Sequence, residues 1–283
     1  MQDTADGQCG PVALVTGAGR GIGRAVAEKL AAEGCRIVVN DLDPGPAQEV
    51  ADGIVARGGR AVVCAGSVTG HDFPDRFVGA AVQAFGGVDI IVNNAGYTWN
   101  AYLGAMSDEQ WDTLIEVHLT APFRILRAAQ PVIRAAVKAE QAAGVPVPCR
   151  KVVNVSSIVG TAGSASQANY SSAKAGLLGL TRTLAKEWGR YNVTVNAVAF
   201  GIITTRLTTA VGADSTTEVG GRPVTVGATE SILSVLESGA SAAPLGRAGT
   251  PEEAAGAVWL LCSPESSYVT GQVLECAGGL QSV

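Results

Sequence analysis

Charge is scarce in this chain: only 16% of its 283 residues are Asp, Glu, Lys or Arg, and the acids prevail for a net charge of -5. No Lys/Arg cluster follows an apolar run, which argues against a face for nucleic acid or for an anionic membrane. Histidine is rarer still. His71 and His118 are the whole complement, too few for a multi-histidine metal site, and no metal is expected. The six cysteines (Cys9, Cys35, Cys64, Cys149, Cys262 and Cys276) stand far apart, with no paired spacing for zinc or a redox dithiol, so they read as buried or incidental thiols. No apolar stretch reaches the roughly 18 to 20 residues that cross a bilayer, and Met1 to Gly10 lacks the pattern of a secretion signal. A cytoplasmic protein with neither membrane nor nucleic-acid partners is expected.

What is abundant is apolar surface, with 47% hydrophobic residues, enough to build a sizeable core. Short β-branched runs alternate with longer alanine-rich stretches. Strands are expected at Val12 to Val15, Arg36 to Val39, Ala61 to Cys64, Asp89 to Val92, Lys151 to Val155, Val193 to Val198 and Gln272 to Glu275. Helices are expected at Ile22 to Glu33, Pro46 to Arg57, Asp72 to Phe85, Asp108 to Gln141, Gln167 to Arg190 and Pro251 to Cys262. Ser107 with Gln110 forms a capping-box pattern, and Thr250-Pro251 is a helix start. Several strand runs have no polar alternate, as happens when helices cover both sheet faces. The expected fold is therefore α/β: a doubly wound, Rossmann-like parallel sheet of about seven strands. No linker or repeat divides the chain, so residues 1–283 read as one domain. Within it, residues 206–247, rich in Gly, Ser, Thr and Ala, read as a substrate lid with one or two short helices carrying Val219, Val224, Val226, Ile232, Leu233, Val235 and Leu236. Ala142 to Arg150, with Pro146 and Pro148, reads as a surface loop.

After the first strand comes Thr16-Gly17-Ala18-Gly19-Arg20-Gly21-Ile22-Gly23, opening an alanine-rich stretch. Glycines let a backbone approach a pyrophosphate, and a helix N-terminus offers free N–H groups with partial positive charge. Alone, such a turn is weak evidence. Its place between strand and helix makes nucleotide binding the better reading. Asp41 follows the second strand, where a carboxylate accepts hydrogen bonds from an adenosine ribose and repels a 2′-phosphate, favouring NAD over NADP. Arg20 argues the other way, as a partner for that phosphate.

Tyr170 and Lys174 are four residues apart, on one face of a helix. A cation beside a phenol favours the phenolate, bringing a group of ordinary pKa near 10 closer to use as an acid or base. Upstream, Ser157 ends the fifth strand, where a ligand crevice is expected, and can donate to a substrate oxygen. A Tyr-x-x-x-Lys pair by itself is commonplace.

Together with Asn93-Asn94-Ala95-Gly96 after the fourth strand, these motifs resemble those of the short-chain dehydrogenase/reductase family, from about Val12 to Leu280. The resemblance implies hydride transfer between a nicotinamide cofactor and a ketone or secondary alcohol. Tyr170 would be the general acid/base and Ser157 would orient the substrate oxygen. Lys174 would hold the nicotinamide ribose and lower the tyrosine pKa. The cofactor would meet Gly17, Gly19, Arg20, Gly21, Ile22, Gly23, Asp41, Ser67, Val68, Asn94, Ala95, Gly96, Tyr170, Lys174, Ile203 and Thr205. A homotetramer through the two long helices is also implied.

Three positions depart from the family pattern. His118 stands where the family's fourth catalytic residue, an asparagine, usually lies; it could serve a proton relay through its carbonyl, titrate in that relay, or simply pack. Phe200 replaces a usual proline and is expected to bring its ring near the nicotinamide. Gly66-Ser67-Val68 replaces the usual adenine-contacting aspartate. The substrate pocket is expected from Tyr97 to Leu103, Ile158 to Ser164 and the lid after Gly201, with Tyr97, Trp99, Ser157 and Val159 at the substrate. Tyr97, Trp99 and Tyr102 are three of the chain's fourteen aromatics and would line an apolar wall. The expected substrate is a medium-sized, partly apolar ketone or alcohol. The stretches around His118 and Tyr170 are also similar to the dehydrogenase unit of multifunctional β-oxidation enzymes, so 3-oxoacyl or 3-hydroxyacyl thioesters, on acyl carrier protein or CoA, are the alternative. A nucleotide-binding regulator is the non-enzymatic alternative. A serine hydrolase is disfavoured by the lack of a Gly-x-Ser-x-Gly elbow.

Overall fold

The computed structural model describes residues 10–205, 216–219, 222–225, Ser234, Ser238 and 240–280. Its strands are β1 (Val12–Val15), β2 (Arg36–Val39), β3 (Arg60–Val63), β4 (Ile90–Asn93), β5 (Arg150–Ser157) and β6 (Val193–Phe200). Beyond the hairpin strands β7 (Thr216–Val219) and β8 (Arg222–Thr225) comes β9 (Val273–Cys276). The helices are α1 (Gly21–Ala32), α2 (Pro44–Ala56), α3 (Phe73–Phe85), α4 (Asp108–Ile115), α5 (Ala121–Ala142), α6 (Val159–Ala162), α7 (Ala168–Trp188) and α8 (Pro251–Cys262). Seven strands form one parallel sheet in the order β3-β2-β1-β4-β5-β6-β9. This is the doubly wound α/β fold expected, and most element ends fall within two residues of expectation.

The buried runs explain both faces. Successive strand side chains point to opposite sides. In β1, Ala13 and Val15 pack with Leu30 of α1, Ile54 of α2 and Val258 of α8. Val12 and Leu14 pack the other way, with Phe73 and Phe77 of α3 and Ile125 of α5. Each fully buried Leu or Phe contributes on the order of 1.5–3 kcal/mol, so the centre of the sheet is a firm platform. The chain reverses its winding between β1 and β4, and in such sheets the crevice beyond the strands' carboxyl ends at that point receives ligands. Both motif-bearing turns, after β1 and after β4, lie there.

Local signals set the helix starts. Ser107 and Gln110 make the expected capping box at α4, and Thr250 makes another with Glu253 at α8. Two expectations need correction. The helix read as continuous from Asp108 to Gln141 is interrupted by a π-helical turn, Glu116–Thr120, centred on His118. In the lid, Val219 and Val224 lie on the antiparallel strands β7 and β8, not on helices. Their β-branched neighbours Thr216, Thr217 and Thr225 favour extended backbone, and Gly220-Gly221 between the runs is a hairpin sequence. Ser234, Ser238 and 240–242 are helical; Val226, Ile232, Leu233, Val235 and Leu236 lie outside the described residues.

Candidate active site

The turn after β1 is held by side chains from three neighbouring strands. Thr16 Oγ1 accepts from the backbone N–H groups of Asn94 (2.9 Å) and Ala95 (3.0 Å). Asn94 Nδ2 donates back to Thr16 O at 2.9 Å. Asn40, at the end of β2, accepts from Gly17 N (3.3 Å) and donates to the carbonyls of Cys64 and Gly66, each at 3.0 Å. Gly17 is left-handed (φ 62°), and a Cβ there would lie 2.8 Å from Ala95 Cα. At Gly23 a Cβ would lie 2.0 Å from Gly17 O. Gly17 therefore requires glycine for conformation and for space, and Gly23 for space.

These residues fit a dinucleotide. Arg20, the N-cap of α1, makes no side-chain cap, and the first helical turn has no acidic residue. Its N-terminal donors and partial positive charge thus suit a pyrophosphate. Gly21 faces Thr205, whose side chain would stand 3.6 Å from a Cβ at Gly21, so turn and post-β6 segment form two sides of one cradle. Ile203 is buried and bridges Gly249. At the other end, Asp41 accepts from Gly19 N at 2.9 Å, while its own carbonyl accepts from Gly66 N at 2.9 Å, bringing Ser67 and the buried Val68 alongside. Arg20 pairs with Asp43 at 2.7 Å and with Asp41 at 3.7 Å.

The second half of the site is built by β5 and α7. Ser157, at the last residue of β5, accepts from Val159 N (3.2 Å) and donates to Phe200 O (3.3 Å). Its hydroxyl is also close enough to the Tyr170 phenol to draw the phenol's pKa down. Lys174 is buried, donates to Val155 O at 2.6 Å, and holds its Nζ 5.5 Å from the Tyr170 ring centre. An ammonium has three donors, so two remain to meet a ligand. Burial pushes Lys174 down to about 7. Burial also pushes Tyr170 up to about 12, and the nearby Ser157 hydroxyl only partly offsets it. The expected lowering of the phenol by Lys174 is therefore not realised in the protein alone, because loss of solvent around the phenolate outweighs the attraction of a lysine that is itself losing its charge.

His118 lies beside this centre. Its Nε2 is 2.7 Å from Tyr97 O, and its ring meets the Tyr170 ring edge-on at 5.0 Å between centres. Burial, and then Lys174, hold its pKa well below the ordinary value. A Cβ on Gly96 would lie 2.1 Å from His118 Cε1, so Gly96 makes room for the imidazole.

Some readings of the pocket change. Tyr102 and Leu103 are 73% and 75% exposed, so Tyr102 does not line a buried wall; the loop turns its side chain outward. Tyr97 is half-buried against the α3/α5 layer, and Trp99 is partly buried. Phe200 packs its ring in the α1/α8 core with Val198 and Ile203, so the structure gives no support for a ring brought near the nicotinamide. Sequence reasoning also missed three residues. Asn169 is fully buried, donates to Trp99 O (3.1 Å) and Gln110 O (2.9 Å), and accepts from Tyr170 N (2.8 Å). Asn40 and Asp43 likewise had no assigned task. An amide directly before the tyrosine and the Asp41-Leu42-Asp43 pattern were the available signals.

The chain's similarities agree with this geometry. A family described as enoyl-(acyl carrier protein) reductase matches residues 17–281. The chain belongs to the short-chain dehydrogenase/reductase family. It is similar to the 3-oxoacyl-[acyl-carrier-protein] reductase FabG of Vibrio cholerae, 38% identical over 275 residues, covering 97% of this chain and 98% of that protein. The corresponding Escherichia coli protein is 37% identical over 274 residues, with 97% and 98% covered. That of Thermotoga maritima is 36% identical over 271 residues, with 96% and 98% covered. This family member is an oxidoreductase that moves a hydride between a nicotinamide cofactor and a ketone or secondary alcohol. Among the described residues, no helix is long and apolar enough to cross a membrane.

Proposed function

We propose that the enzyme interconverts a medium-sized, partly apolar ketone and its secondary alcohol at Tyr170, using NAD, with 3-oxoacyl thioesters as the first substrates to test. The observation that carries this reading is the gathering of three groups at the carboxyl end of β5: Ser157 at its last residue, the buried Lys174 on the carbonyl of Val155, and Tyr170 with its ring centre 5.5 Å from Lys174 Nζ. A bound nicotinamide supplies or accepts the hydride. Ser157 holds the substrate oxygen. Tyr170 gives that oxygen a proton in reduction and takes one in oxidation, and the spare N–H groups of Lys174 hold the nicotinamide ribose. Thioesters are favoured by the names of the similar reductases.

Preference for NAD rests on the acid pair after β2. Asp41 and Asp43 both face Arg20, so the cation that would draw a 2′-phosphate is already paired. Residues 206–247 serve as the lid of a single domain. A homotetramer is supported by the open groove between α5 and α7, lined by Phe123, Leu126, Leu180 and Tyr191, with Phe123 43% exposed. The cytoplasm is the proposed location.

The test is a panel of ketones and 3-oxoacyl thioesters offered with NADH or NADPH while loss of reduced cofactor is followed. Turnover with a 3-oxoacyl thioester and NADH is expected; tight cofactor binding without turnover of any carbonyl would overturn the reading. The pH dependence adds a signed check. A phenol pushed up to about 12 stays protonated through neutral pH, which is the form reduction needs. Alcohol oxidation needs the phenolate, so its kcat/KM should rise with pH, by up to about tenfold per unit, while ketone reduction should not.

A further inference from the structure

We propose that His118 is a positioning residue: its Nε2–H, fixed on the Tyr97 carbonyl, ties the π-turn to the substrate loop and sets the Tyr170 ring, and the imidazole passes no proton. This deepens the assignment of Tyr170 and Tyr97 to the site and rests on that reading.

The argument begins with the tautomer. A carbonyl can only accept, so the 2.7 Å contact to Tyr97 O places the ring proton on Nε2. Nδ1 then holds a lone pair, buried and without a hydrogen-bond partner. A relay through the ring would have to protonate Nδ1 and release the Nε2 proton to Tyr97 O, an acceptor with no onward path shown. Burial first, and then Lys174 facing the ring from α7, oppose a positive charge on it, and outweigh the Tyr97 carbonyl from the loop after β4, which favours one. Tyr170 meets the ring edge-on from α7, and the carboxylate of Glu116, on the same turn as His118, is already paired with Arg124.

The backbone supports a mechanical role. Single π-turns within helices concentrate at functional sites, because the extra residue re-aims side chains. Here the π-turn Glu116–Thr120 directs the imidazole under Gly96, which leaves just the space it fills. The same loop is clamped to the start of α7 at two further points, Asn169 Nδ2 to Trp99 O (3.1 Å) and Ala101 N to Ser166 O (2.9 Å). His118 therefore completes a frame: π-turn to loop through Nε2–H, loop to α7 through Asn169, and α7 back to His118 through the Tyr170 ring.

Two measurements test this. With nitrogen-15 labelling in a His71→Gln background, His118 gives the only imidazole signal. The expected spectrum is a neutral ring protonated at Nε2, unchanged between about pH 5 and pH 8, with or without dinucleotide. An Nδ1–H tautomer, or protonation within that range, would overturn the proposal. In kinetics, His118→Gln carries an amide N–H to the position of Nε2 and keeps a donor for Tyr97 O, so it should stay within about threefold of wild type, while His118→Phe keeps a ring without a donor and should raise KM about tenfold or more with the pH profile of kcat/KM unmoved. Equal loss of kcat in both variants with a shifted pH profile would instead establish a relay. Should His118→Phe not fold, the spectrum decides alone. Should wild type turn over no carbonyl, the proposed function fails while the spectrum still reads the frame.

Discussion

Thr16, Asn40, Asn94 and Asp41, on the cofactor side of the cleft, bury no unpaired side-chain polar atom, whereas Tyr97 and His118, and Ser171 next to Tyr170, each bury one without a hydrogen-bond partner among the described residues, as do Asn93, Arg150 and Thr194 in the sheet. The turn after β1 is knitted to β2 and β4 by hydrogen bonds that exist without any ligand. Around Tyr170 the protein is less complete. A buried polar group left unpaired costs about 1–3 kcal/mol, so Tyr97, His118 and Ser171 are held against a local cost. The difference separates a preformed binding surface from a reaction centre whose electrostatics depend on its ligands. Burial also moves Tyr170 and Lys174 far from their ordinary pKa values.

Tyr170→Phe should sharpen the contrast most. Removing the phenolic proton is expected to lower kcat by about a thousandfold and to leave dinucleotide affinity within about threefold in a fluorescence titration. A near-normal rate would break the assignment. Next in size, Thr16→Val keeps the shape but leaves the N–H groups of Asn94 and Ala95 without their acceptor, so chemical denaturation should show a loss of about 2 kcal/mol. Asp41→Ala should move the NAD/NADP ratio of kcat/KM toward NADP by about tenfold, the equivalent of roughly 1.4 kcal/mol; an unchanged ratio would mean another group reads the ribose. The smallest effect is expected at Ser171→Ala. It removes a buried hydroxyl that has no partner, so stability should change by less than about 0.5 kcal/mol, or rise. A loss matching that of Thr16→Val would erase the distinction between the two sides.

Much of this was legible in the sequence because it depends on local pattern. Strand period and length gave the sheet, and glycine placement gave the turn. The reaction came from the family resemblance that Ser157, Tyr170 and Lys174 carry jointly with the glycine turn and Asn93 to Gly96. What was not legible depends on contacts between distant residues. Asn169 reaches Trp99 and Gln110, 70 and 59 positions away, and Asn40 joins turns on either side of β2. The π-turn at His118 inserts one residue into a helix whose composition reads as continuous. Side-chain direction was also hidden: clustering of Tyr97, Trp99 and Tyr102 suggested a wall, yet Tyr102 faces outward because apolar content alone does not say which way a loop turns.

The most direct test of hydride transfer at this centre is to supply reduced nicotinamide deuterated at its transferring carbon together with a 3-oxoacyl thioester. The account predicts deuterium on the carbinol carbon of a 3-hydroxyacyl product from wild type, and almost none from Tyr170→Phe despite retained cofactor binding. Product free of deuterium from wild type, or equal labelling by Tyr170→Phe, would contradict it.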